Sequence, residues 1–85
     1  MTPAERAVEA AGRAIHALAS RKAGWSLAWE DETEETRGAY ERDGALALVA
    51  GLASFASDPA TAGLCAADLA AEVARMEVER GRVCR

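Results

Sequence analysis

Between Asp43 and Asp58 the chain carries no charged side chain, and its larger apolar residues stand among alanines and glycines. Tyr40, Gly44, Leu48, Leu52 and Phe55 follow one another at spacings of four, four, four and three, the signature of one helical face. Leu46, Val49, Ala50 and Ala53 lie beside or behind that face. A helix that is apolar nearly all round is expected to be buried on more than one side. This stretch therefore predicts either the central helix of three or a helix at a subunit interface. Gly38, Gly44 and Gly51 each cost such a helix about 1 kcal/mol against alanine. Close approach of another helix, or a local bend, would justify them.

The flanking segments supply the other helices. Thr2-Pro3-Ala4-Glu5 reads as a capping box with proline at the first helical position. Val8, Ala11, Ile15 and Leu18 make a narrow apolar stripe behind it. Acids come early (Glu5, Glu9) and bases late (Arg21, Lys22), which complements the helix dipole, and Gly24 is the natural stop. Trp25-Ser26-Leu27-Ala28-Trp29 is a short connector, expected to plug one end of a helix pair, the alternative being an exposed aromatic anchor for a partner. The middle helix starts near Asp31 or Thr33, with Asp31 as the favoured cap because Thr33 has Thr36 rather than an acid three residues on. Asp58-Pro59 opens a short helical turn that Gly63 breaks. Leu69, Val73 and Met76 stripe the last helix, which Gly81 is expected to end, with residues 82–85 frayed. The expected fold is all-α: a small three-helix bundle over about 3–22, 32–56 and 65–80, with a helical turn near 59–62, in one domain spanning 1–85.

Alanine dominates the apolar fraction, so the large core candidates are few. They are Val8, Ile15, Leu18, Trp25, Trp29, Tyr40, Leu48, Leu52, Phe55, Leu64, Leu69, Val73 and Met76. A core this thin in 85 residues makes help from self-association or a partner plausible, and homodimerisation through the apolar half of the middle helix is the natural form. The N-terminal segment has no uninterrupted apolar run, because Glu5, Glu9 and Arg13 break it. Neither a signal peptide nor a membrane span is expected, and the expected location is cytoplasmic.

Few residues point to chemistry. His16 is the only histidine, and its helical neighbours Gly12, Arg13, Ala19 and Ser20 include no metal ligand or base-orienting group. It reads as a surface or half-buried helix residue. One histidine and two distant cysteines do not make a zinc site. Cys65 reads as a small buried hydrophobe and Cys84 as an exposed thiol, with no disulfide expected between them. The acid run 30–35 lacks the alternation and the glycine of a calcium loop. Its carboxylates are expected on an exposed first turn, where nothing raises a pKa. No serine or cysteine has an evident base. The expectation is a protein that is not an enzyme and holds no cofactor and no metal.

Trp29-Glu30-Asp31, then Thr33, Arg37, Tyr40, Asp43 and Leu48, resembles a pattern in short, mostly uncharacterised helical proteins of actinobacteria and their phages. There a helix ends, a Trp-acid-acid turn follows, and a capped helix begins with Arg-x-x-aromatic before an alanine-rich run. The resemblance covers roughly residues 5–52 and implies a two-helix packing unit and a phage connection, not an activity. Two positions depart from the pattern: Glu32 stands where leucine is usual, and Thr36 where an apolar residue is usual. They leave the start of the middle helix more acidic and more available. Independently of the resemblance, Arg37 and Tyr40 share a face, so the Arg stem can cover the ring while its head meets Asp31 or Glu34.

Charge layout carries the functional expectation. From Glu30 to Asp43 seven acids face Arg37 and Arg42, whereas Met1 to Lys22 and Arg75 to Arg85 each set two acids against four bases. With a net charge of −4, direct nucleic-acid binding is disfavoured. The acidic middle instead suits docking on a basic surface of another protein, through Glu30, Asp31, Glu32, Glu34, Glu35, Tyr40, Glu41 and Asp43. A small phage accessory inhibitor of a host defence complex, of the anti-CRISPR kind, is the class that fits. The alternatives are a nucleic-acid-associated regulator using the basic ends, and a structural or scaffold subunit that completes its core by oligomerising.

Overall fold

A computed structural model describes residues 1–25 and 27–83. Three α-helices dominate: α1 at Pro3–Ala23, α2 at Glu34–Ser57 and α3 at Ala66–Val83. Short 3-10 turns at Trp29–Asp31 and Pro59–Thr61 stand between them, and no strand occurs among the described residues. The all-α class and the three helices are those the sequence predicts. The chain divides into two compact units, Met1–Leu52 and Ala53–Arg85.

In the first unit, α1 begins as expected. Thr2 Oγ1 accepts from the Glu5 N–H at 3.1 Å, and Glu5 Oε1 accepts from the Thr2 N–H at 2.8 Å. These reciprocal bonds satisfy two of the donors a helix start leaves open. Gly24 ends the helix at φ +77°, a conformation glycine adopts without Cβ strain, and its N–H donates to the Ser20 carbonyl. The cap of α2 differs from expectation. Thr33 Oγ1 accepts from the Thr36 N–H at 3.1 Å, while Asp31 belongs to the preceding 3-10 turn. The cap site needs only an acceptor one turn before a free N–H, so Thr33 serves without an acid at its third position.

The two helices meet at paired glycines. A Cβ on Gly44 would fall 2.7 Å from Ala11 Cβ and 3.0 Å from the Gly12 nitrogen. A Cβ on Gly12 would fall 2.9 Å from Glu41 Cγ and 3.1 Å from Glu41 Cα. The 2.7 and 2.9 Å contacts are shorter than real Cβ atoms make, so the crossing depends on neither position having a side chain. Gly38 and Gly51 meet nothing within 4 Å, and close approach does not justify them.

The core is thinner than the predicted list. Of the thirteen candidates only Trp29 is buried. Val8, Ile15, Tyr40 and Leu48 are half-buried, whereas Leu18 and Leu52 are exposed and Trp25 is 37% exposed. On α1 the buried positions are Gly12 and His16, so the packed face is rotated away from Leu18. On α2, Leu46 and Val49 are exposed, so the helix is not buried on more than one side within the single chain as a central helix would be.

In the second unit, Asp58 caps the Pro59–Thr61 turn by accepting from the Ala60 N–H at 2.9 Å, and Gly63 takes φ +86°. Phe55 and Leu69 are half-buried; Leu64, Val73 and Met76 are exposed. The Cys65 N–H donates to Asp68 Oδ2 at 2.9 Å, which starts α3. Cys65 itself is exposed, contrary to the expected buried hydrophobe, because it occupies the helix cap rather than the stripe. α3 continues through Gly81 to Val83 rather than ending at Gly81. The expectations for Cys84 and for its pairing with Cys65 lie outside the described residues.

Candidate functional site

The capping box and the Gly12 crossing fix the register that turns His16 inward. Gly12 stands one turn before His16 on the same face of α1, and its missing side chain lets the start of α2 come close. His16 is only 4% exposed. Its Nε2 lies 3.0 Å from Glu32 Oε2, and the two side chains are 5% and 11% exposed. With Glu32 ionised, this geometry requires a proton on Nε2, so the imidazole donates.

Three aromatic rings surround the imidazole edge-on. Ring centroids lie 5.1 Å away for Trp25, 5.6 Å for Trp29 and 5.4 Å for Tyr40, at interplanar angles of 67°, 82° and 88°. T-shaped contacts of this kind set the positive edge of one ring against the negative face of another. Trp29 also sits 6.5 Å from Tyr40, and the Arg13 guanidinium lies 5.8 Å from the Trp29 ring centroid. The connector is thus fastened to both helices through its second tryptophan, as a plug should be. Trp25 reaches the same imidazole while keeping part of its surface in solvent.

Arg37 supplies the remaining tie. Its Nη1 donates to the Glu32 carbonyl at 2.9 Å and to the Glu30 carbonyl at 3.3 Å. The expected meeting with the Asp31 or Glu34 carboxylate gives way to backbone fastening. A 3-10 turn leaves its last carbonyls without helical partners, and a guanidinium one turn into α2 is placed to take them.

Each predicted docking residue can now be placed. Glu32, expected among the available docking acids, is instead inward and bonded to His16. An acid stays inward where a buried donor meets it, and His16 Nε2 is that donor here. Tyr40 is half-buried against the imidazole, and Glu41 lies against Gly12 at the crossing. Glu30 is exposed but paired with Arg13 Nη1 at 3.0 Å, and Arg13 in turn holds Glu9 at 3.2 Å. The Glu30 carboxyl is held below its usual range, first by a backbone N–H and then by Arg13. Arg13 is correspondingly raised, chiefly by Glu9. Asp31, Glu34, Glu35 and Asp43 remain exposed, and none of them pairs with a basic group among the described residues.

His16 is the functional-looking residue that sequence spacing missed, since its partner lies sixteen positions away. No local signal in the sequence links the two, because neither residue's helical neighbours include the other. Among the described residues no group of three or more His, Cys, Asp or Glu is placed to hold a metal ion. No described buried side-chain N or O atom lacks a hydrogen-bond partner. No described helix is long and apolar enough to cross a membrane. No known protein-family model matches the chain, and neither a curated protein nor a solved structure matches it.

Proposed function

We propose that this chain is a non-enzymatic protein-binding protein whose contact surface is acidic and drawn from the exposed residues Asp31, Glu34 and Glu35 at the start of α2, with Asp43 further along the helix. The observation that supports this reading is the division among the middle acids. Glu32 and Glu41 are taken up by the helix crossing and Glu30 by Arg13, whereas these four carboxylates stay exposed and form no ion pair among the described residues. A rigid base lies under them, because the 3-10 turn and the first turns of α2 are tied by Trp29, Glu32 and Arg37. Preordered charge steers a basic partner and raises the association rate, an effect that weakens with salt.

The specific form of this reading is an accessory protein that occupies the basic groove of a nucleic-acid-handling host defence complex, in the manner of an anti-CRISPR. The phage connection of the sequence pattern and the net charge of −4 support it. The test is affinity capture from an actinobacterial lysate with the wild type and with Asp31→Lys/Glu34→Lys/Glu35→Lys/Asp43→Lys. The reading expects a basic, nucleic-acid-binding species retained by the wild type at low salt and lost with the variant, while the helical circular dichroism is kept. Retention by both proteins rejects these acids as the contact.

A further inference from the structure

His16 is the one buried polar or charged residue among those described, and the Glu32 side chain it meets is only 11% exposed. The charged groups around this pair are engaged elsewhere. On α1, Arg13 holds Glu9 and Glu30. On α2, the Arg37 guanidinium donates to the Glu30 and Glu32 carbonyls, and Tyr40 presents its ring. Among the described residues, His16 is therefore the only ion-pairing partner of the Glu32 carboxylate. An ionised carboxylate kept from water needs a countercharge, and a neutral imidazole does not supply one.

The rings favour the same charge state. Trp25, Trp29 and Tyr40 have centroids 5.1, 5.6 and 5.4 Å from that of the imidazole. These lie inside the roughly 6 Å over which an aromatic face attracts a cation. Burial by itself favours the neutral ring, but here it encloses the carboxylate too and so strengthens the attraction between them. We infer that His16 and Glu32 form a proton-operated latch. The imidazolium holds the carboxylate and the three rings together, and loss of its proton loosens the connector from α1. Trp25, already 37% exposed, is the ring that gives way first. Histidine exchanges its proton between about pH 5 and about pH 8, so the latch is closed at the acid end of that range and slack at the other. By linkage, a group that holds its proton more tightly when folded stabilises the fold fully at low pH, and that effect is lost as pH rises through its folded-state range. The latch works within the first unit and needs no partner at the acidic surface.

Proton NMR on the whole chain tests this, because the chain has a single imidazole to observe. The His16 ring signal is expected to titrate at a higher pH in the folded chain than in the same chain unfolded in urea. Over the same range, acrylamide quenching of tryptophan emission reads Trp25 and Trp29 and is expected to rise with pH. His16→Gln keeps a donor for Glu32 without a proton to lose, and is expected to abolish that rise. Glu32→Gln is expected to bring the folded ring signal down to the unfolded one or below it. An imidazole that titrates at the same or a lower pH when folded overturns the inference, whether or not the variants fold. So does a rise in quenching that persists in His16→Gln.

Discussion

His16 and Glu32 face one another across the start of the α1–α2 pair, with Nε2 and Oε2 3.0 Å apart and both side chains almost wholly out of solvent. Three aromatic rings close around the imidazole, so neither group can turn to water if the other is removed. An abandoned buried polar group costs about 1–3 kcal/mol. His16→Ala and Glu32→Ala are each expected to destabilise the first unit by about that much. Their effects should be strongly non-additive, with a coupling of about 1–3 kcal/mol in a double-mutant cycle. Denaturant unfolding followed by tryptophan emission reads this unit alone, because both tryptophans of the chain lie in it. Additive effects would show that the bond contributes nothing.

The glycines of α2 should respond in opposite directions. Gly44→Ala places a methyl 2.7 Å from Ala11 Cβ and against the α1 backbone, so it is expected to lower stability despite alanine's better helix propensity. Gly38→Ala and Gly51→Ala enter open space and are each expected to raise stability by about 0.5–1 kcal/mol. Unfolding midpoints of the three variants separate a packing role for Gly44 from a role in bending the helix.

The expectation that α2 starts on a cap is tested by comparing two positions. Thr33→Ala removes the acceptor of the Thr36 N–H and is expected to cost about 1 kcal/mol. Asp31→Ala changes an exposed residue that makes no cap and is expected to fall within about 0.5 kcal/mol of the wild type. Thermal unfolding of both variants decides which residue holds the helix start.

Acid should loosen two helix starts. The Glu5 carboxyl is held below its usual 4.5 by the Thr2 backbone N–H and then the Thr2 hydroxyl, and the Asp68 carboxyl below its usual 3.8 by the Cys65 backbone N–H and then its thiol. A carboxyl depressed in the folded state binds its proton less readily there than in the unfolded chain. Its stabilising effect is therefore full above the ordinary value and disappears as pH falls through the lowered one. Helical circular dichroism titrated from about pH 6 to about pH 2 is expected to decline below about pH 4.5. Glu5→Gln and Asp68→Asn should each make that decline shallower.

The helices were legible because their signals are local. The Thr2–Glu5 box, the Gly24 stop and the Asp58-Pro59 turn each depend on residues within a few positions, and all form as expected. The packed face of α1 was legible in part, since Val8, Ala11 and Ile15 of the predicted stripe are half-buried and only Leu18 is exposed. Apolar periodicity points at Leu18, but packing selects Gly12, which has no side chain to score, and His16, which counts as polar. Glu32 was misplaced for the same reason: polarity alone suggests solvent, and only a partner sixteen residues away reverses it. The acidic character of the Glu30–Asp43 segment was plain from the sequence. Which of its acids face outward depends on the helix crossing, and no run of residues encodes that crossing locally.

The middle acids separate into inward fasteners and outward-facing carboxylates, and paired charge reversals test that separation most directly. Glu32→Lys sets an ammonium beside the buried His16 and is expected to destabilise the first unit by about 3 kcal/mol or more, read by tryptophan emission in denaturant. Glu34→Lys sits on an exposed first turn of α2 and is expected to cost about 1 kcal/mol or less through the helix dipole alone. A large loss for Glu32→Lys with a small one for Glu34→Lys is the result this account predicts. Equal losses, or a larger loss for Glu34→Lys, would contradict it.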